Sequence, residues 1–200
     1  MALLIEGAKR EKLAIAGQVD RCYPRAARIL FLGPLPIKVT GFYYSNAKKA
    51  FGYDVAKKLY LFHVLQAGAF GLSGTAPHWK RWQELVLEAV KRGKVFTAEQ
   101  LCLGILCYLE GYGLESLPAW TQWSANTTPL YDPDTKMLVE PYLPNKTLSI
   151  LHLCGLNEMR LDRSITTSLQ TTDGKTITGT LRVPDYDGEK DAEIVAKTDL

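Results

Sequence analysis

The sequence predicts an α+β fold: a small antiparallel sheet packed against about three helices, with a basic N-terminal arm and an acidic C-terminal tail. Two observations carry this. The apolar residues alternate along some stretches and recur at helical spacing along others, with glycine and proline between them. The charge also divides by halves. Residues 1–100 hold 16 Lys+Arg against 7 Asp+Glu, and residues 101–200 hold 8 against 14, so +9 and −6 sum to the net +3. The length suits one domain, and no linker or repeat divides the chain. The expected boundaries are a basic arm over 1–28, a core over 29–184 and an acidic tail over 185–200.

Residues 6–28 mix Lys9, Arg10, Lys12, Arg21, Arg25 and Arg28 with small side chains, so they read as a lead-in, part helix and part arm. Arg28 opens a short apolar run closed by Gly33-Pro34, and the β-rich, partly alternating stretch 37–44 predicts a strand. Val55, Leu59, Phe62, Leu65 and Ala69 then recur at helical spacing, which predicts a helix over 53–69, ended by Gly68, Gly71 and Gly74. A second helix runs from Pro77 to Lys91-Arg92-Gly93, with proline at its start and cations and glycine at its end. Its apolar stripe is Trp79, Trp82, Leu85, Val86 and Ala89.

Thr97-Ala-Glu-Gln100 has the form of a capping box. The helix it opens, over 97–110, is apolar around most of its circumference and is expected at the centre of the core. Residues 111–146 show no period and predict a long ordered excursion held by Trp120 and Trp123, followed by strand character over 147–153. In the hairpin over 163–183, Asp173-Gly174 suggests a two-residue turn, but that register splits the apolar residues between faces. A three-residue loop, Thr172-Asp173-Gly174, pairs Leu169 with Ile177 and Ile165 with Leu181, and predicts a left-handed Gly174.

Catalytic and metal signatures are missing. There is no GxSxG, HExxH or Walker loop. His152 and Cys154 face one way on a strand, but no further ligands stand at recognisable spacing, and Cys102 and Cys107 diverge around their helix. Gly68-Ala-Phe-Gly71 has the form of an RNA-clamping loop with apolar middle residues, and Asp185-Tyr-Asp-Gly188 places its glycine wrongly for a calcium loop. No CxxC pair exists among Cys22, Cys102, Cys107 and Cys154, so reduced, buried thiols are expected. The apolar run at the N-terminus stops at Glu6, too soon for a signal peptide, and the expected compartment is the cytosol. The expectation is a protein without catalytic residues, cofactor or metal.

The basic residues are the positive signal. Lys9, Arg10, Lys12, Lys48, Lys49, Lys57, Lys58, Lys80 and Arg81 are the candidates for phosphate contact, with Lys91-Arg92 and Lys94 clustered beyond them. Near an anionic bilayer each such cation contributes about 1 kcal/mol. On nucleic acid the same charges give salt-dependent, sequence-blind affinity. Tyr43, Tyr44, Phe51 and Tyr53 surround Lys48-Lys49 as interfacial anchors, as stacking platforms, or as packing at a strand-to-helix junction.

The order of elements carries a resemblance. A basic arm and a β segment precede Tyr53-Asp-Val-Ala, which opens a helix; a Trp-bearing helix follows. Then come Pro141-Tyr-Leu-Pro and the hairpin strand Gly174-Lys-Thr-Ile-Thr-Gly-Thr-Leu181, closing on Asp185-Tyr-Asp. Over residues 35–190 this order resembles the matrix proteins of rhabdoviruses. The Pro-Pro-x-Tyr budding motif of the animal-virus members is missing, and the helix over 97–110 has no evident counterpart. The resemblance implies a non-enzymatic structural protein that binds anionic membrane, condenses viral ribonucleoprotein and self-associates. Its implied location is the host cytoplasm, the inner face of the membrane and the virion. Two other readings stay open: an RNA-binding module, such as a nucleocapsid-associated protein or a viral silencing suppressor, and a small intracellular enzyme using Cys154 or Cys22.

Overall fold

A computed structural model describes residues 2–17, 27–32, 35–40, 42–60, 62–125, 127–153, 156–162 and 164–181. It is an α+β structure. The first elements are helix α1 (Ala2–Lys9) and strand β1 (Leu13–Gly17), then the paired strands β2 (Ala27–Leu32) and β3 (Leu35–Thr40). Helices α2 (Phe42–Phe51) and α3 (Tyr53–Leu59) follow, then strand β4 (Leu65–Gly71) and helices α4 (His78–Arg92) and α5 (Ala98–Gly104). A π-helical turn, Ile105–Leu109, continues α5 and leads to strand β5 (Leu114–Leu117).

The main sheet has the order β4-β1-β5, with β1 antiparallel to β4 and parallel to β5. The sheet is therefore mixed, which corrects the expectation of an antiparallel one. β1 is apolar on both faces because both are covered. Leu13 and Ile15 enter the main core, while Ala14 and Ala16 face Leu4 and Leu117. A Cβ at Gly71 would fall on the backbone carbonyl of Leu4, so glycine lets α1 lie close against β4. The N-terminal stretch thus departs from the expected arm over 1–28: Ala2–Lys9 and Leu13–Gly17 are built into the core, and β1 is its central strand. Residues 18–26 of that arm and the expected tail over 185–200 lie outside the described residues.

α5 and its π turn run through the centre. Leu101, Cys102, Leu103 and Leu106 are fully buried, as the apolar circumference predicts. Thr97 does stand at the helix start, but its φ is +64° and its hydroxyl caps nothing, so the expected capping box does not form.

Two elements differ from the sequence reading. The expected strand over 37–44 ends at Thr40, and its aromatic end turns helical. Tyr43, Asn46, Ala47 and Ala50 recur at helical spacing and are all buried, so packing overrides the β propensity of the aromatics. The expected helix over 53–69 stops at Leu59, and its second half becomes β4. Gly68 and Gly71 weaken a helix there, and pairing with β1 supplies the backbone partners. The helix expected from Pro77 is borne out by α4, whose Gly93 amide donates to the Ala89 carbonyl at 2.7 Å.

The second half is built from shorter pieces. The stretch 111–146 contains more order than its composition suggests: β5, a 3-10 turn (Ala119–Thr121), β6 (Trp123–Ser124) and the antiparallel pair β7 (Leu130–Asp132) and β8 (Met137–Val139). Trp123 is buried and its Nε1 donates to the Thr127 carbonyl at 2.7 Å. The strand expected over 147–153 is confined to β9 (Leu151–His152), parallel to β6. Helix α6 (Asn157–Leu161) and the hairpin β10 (Thr167–Gln170) and β11 (Thr176–Gly179) complete the order.

The hairpin register is the one the hydrophobic pattern predicts. Leu169 opposes Ile177, the Thr171 amide donates to the Lys175 carbonyl at 2.8 Å, and Gly174 has a φ of +84°. Ile165, Leu169, Ile177 and Leu181 share one apolar cluster with Met159. Within the loop, Asp173 accepts from Lys175 and Thr171, which holds its carboxyl down at about 2.

Candidate anionic-surface interface

The nine basic candidates separate into two groups by what lies next to them. Lys9 Nζ is 3.1 Å from Glu6, one helical turn away. Arg10 and Lys12 converge on Glu115 at 3.4 and 3.9 Å. Arg81 is held hardest. Its guanidinium lies 2.6 Å from Glu110 and 3.0 Å from Glu84, and these bonds, Glu110 first, raise its pKa further. All five are surface pairs with part of each side chain in water. Each contributes at most about 1 kcal/mol to stability. What they do alter is the field outside, because each cation meets an acid of its own chain.

Lys48, Lys49, Lys57, Lys58 and Lys80 are exposed and make no ion pair among the described residues. Four of them lie on the elbow between α2 and α3. The elbow turns at Gly52, whose φ of +93° is one a side chain rarely adopts. Each helix carries its lysine pair in its last turn, where the dipole favours cations. Asp54 is the one acid between Phe42 and Leu59. Lys48 Nζ stands 5.9 Å from the centre of the Tyr53 ring, and Tyr53 itself is 55% exposed.

The structure adds three cations that the sequence reading left beside the candidate set. Asn46 on α2 is buried and clasps the backbone just beyond α4: its Nδ2 donates to the Lys94 carbonyl at 3.1 Å, and its Oδ1 accepts from the Lys94 amide at 2.6 Å. A Cβ at Gly93 would come within 2.7 Å of that Oδ1 and 3.0 Å of the Ala50 Cβ, so glycine allows the approach. The clasp holds the Lys94 backbone against α2, and Lys91 and Arg92 lie just before it in the last turn of α4. These three are also exposed and make no ion pair among the described residues. The signal that could have found them is Asn46, a polar residue on an otherwise apolar helix face, which needs buried partners.

Tyr43 and Trp82 tie the same corner to α5. The Tyr43 hydroxyl donates to the Gln100 carbonyl at 2.9 Å, and Trp82 Nε1 donates to the Glu99 carbonyl at 3.1 Å. Tyr43 therefore belongs to the core, and of the surrounding aromatics it is Tyr53 that faces outward. Lys80 sits apart from the elbow, near the start of α4.

Cys102 and Cys107 are buried, and burial pushes both thiols up to about 12, so both stay protonated at neutral pH. Cys22 and Cys154 lie outside the described residues. His152 Nδ1 is 3.3 Å from Gln66 Nε2, and no group of three metal-ligating side chains occurs among the described residues. No helix among them is long and apolar enough to cross a membrane. Compared with known proteins, the chain matches no family model, no curated protein and no solved structure.

Proposed function

We propose that this is a non-enzymatic structural assembly protein of the viral-matrix kind. It sits on an anionic membrane surface and condenses ribonucleoprotein by self-association. The observation that carries the reading is the corner of α2, α3 and the end of α4. There, Lys48, Lys49, Lys57, Lys58, Lys91, Arg92 and Lys94 are exposed and make no ion pair among the described residues. Exposed cations without partners attract lipid phosphate and carboxylate at about 1 kcal/mol each, and more strongly at low salt. The excess acid of residues 101–200 provides a complementary sign for a neighbouring copy. Action at the inner membrane face and in the virion follows from the same reading.

The test is binding of the full chain to phosphatidylserine-containing vesicles and to single-stranded RNA, each at two salt concentrations. Reversing Lys48, Lys49, Lys57 and Lys58 to Glu is expected to abolish vesicle flotation at low salt while circular dichroism stays that of the parent. Unchanged flotation contradicts the assignment. Binding to RNA with none to vesicles moves the protein to the alternative, an RNA-binding module.

A further inference from the structure

The chain also carries an apolar projection and an apolar groove, on elements far apart in sequence. The projection is Pro141-Tyr142-Leu143-Pro144, between β8 and β9. Tyr142 is 53% exposed and Leu143 is 90% exposed, so Leu143 packs on almost nothing of its own chain. The backbone behind them is fixed. The Asn145 amide donates to the Tyr142 carbonyl at 2.7 Å, and Asn145 Nδ2 donates to the Glu140 carbonyl at 3.0 Å. The Glu140 amide donates to the Lys146 carbonyl at 2.9 Å, and the Lys146 amide donates back to Glu140 Oε1 at 3.3 Å. The Tyr142 ring centre stands 6.1 Å from that of buried Trp123. The two prolines restrict the chain further. A knob held out on so constrained a turn loses little entropy when a partner covers it.

The groove lies between α1 and the end of β4 and measures about 480 Å³. Leu4, Ile5 and Ala8 line one side, and Phe70 and Leu72 line the other. By the helical period Leu4, Ala8 and Ile5 fall within an arc of about 100°, so α1 turns one apolar face to the groove. Ile5 is 50% exposed there. The polar lining is Ser73 and Lys9, and Lys9 is paired with Glu6. The knob is balanced in the same way, with Glu140 and Lys146 at its base. The groove along α4 is more polar, with Lys80, Gln83 and Glu99 in its lining.

We infer that the Tyr142-Leu143 knob of one copy seats in the α1–β4 groove of the next. The exposure of Leu143 shows that it does not fill the groove of its own chain. The inference rests on the self-association in the reading above and names its contact. The two patches differ, so each copy added still offers a free knob or a free groove, and copies join head to tail into a ring or a filament. A four-residue tip buries less than the roughly 1,200 Å² of a stable pair, so one contact is weak and repetition makes the assembly. With charge balanced on both sides, apolar burial drives the contact and salt has little effect on it. A bilayer is the poorer cover for this knob, because Lys146 is the one Lys or Arg between Met137 and Met159.

The test is sedimentation of the full chain over a concentration series, at about 0.1 M and about 0.5 M salt. It compares the parent, Leu143→Ser, Ile5→Gln and an equal mixture of the two variants. The parent is expected to grow past a dimer at both salt concentrations. Each variant alone should associate roughly tenfold more weakly. The mixture should form one-to-one pairs and stop, because one variant keeps the groove and the other keeps the knob. Leu143→Ser should melt as the parent does, since its side chain touches little of the fold. A parent that stops at a dimer, either variant assembling as the parent does, or association lost at the higher salt overturns the knob-and-groove contact and leaves self-association standing. A parent that stays monomeric throughout overturns both.

Discussion

Lys9, Arg10, Lys12 and Arg81 carry the same formal charge as Lys48, Lys49, Lys57 and Lys58, and both sets lie in the same half of the chain. Their surroundings differ. The first set lies against Glu6, Glu115, Glu84 and Glu110, and two of those acids belong to the other half. The second set lies on an elbow whose one acid is Asp54, and it makes no ion pair among the described residues. The charge asymmetry of the sequence is therefore partly cancelled inside the fold and partly left at one corner. A count of basic residues measures the supply of cations; only the fold shows which of them face a partner from outside.

The comparison is sharpened first at the end of α4. Replacing Lys91, Arg92 and Lys94 with Ala removes three cations that make no ion pair among the described residues. Vesicle partition at low salt should then fall by roughly a hundredfold, at about 1 kcal/mol per charge. An unchanged partition would confine the interface to the α2–α3 elbow. A much smaller effect is expected at Arg81. Arg81→Gln leaves Glu84 and Glu110 without their cation, which should cost at most about 1 kcal/mol in a thermal melt, since the pair is on the surface. Partition onto anionic vesicles should stay within about twofold of the parent, because the charge of Arg81 is already answered. A large loss of binding in that variant would break the distinction between the two sets.

How much of this was legible in the sequence depended on whether the information was local. The hairpin register was, because Ile165, Leu169, Ile177 and Leu181 admit one pairing that keeps them on a single face. The α4 boundaries were as well, since Pro77 and Gly93 punctuate the helix and the cations sit in its last turn. The buried α5 followed from an apolar circumference. Misread elements were those decided by distant partners. Residues 65–71 carry an acceptable helical spacing and become a strand because β1 pairs with them. Residues 13–17 look like part of a basic arm and become the central strand because β4 and β5 flank them. At the candidate site the lysine pairs were visible as residues, but the sequence had no means of showing that Glu115 lies beside Arg10 and Lys12, or that Asn46 holds Lys94 next to α2.

The most direct test of the account is a matched pair of quadruple variants on the same phosphatidylserine vesicles at low salt. K48Q/K49Q/K57Q/K58Q and K9Q/R10Q/K12Q/R81Q each remove four positive charges and leave the same net charge. The account predicts that the first loses roughly a thousandfold in partition and that the second stays within about threefold of the parent. Equal losses in the two would mean that net charge alone governs binding, and would contradict the claim that the fold reserves one corner for the anionic surface.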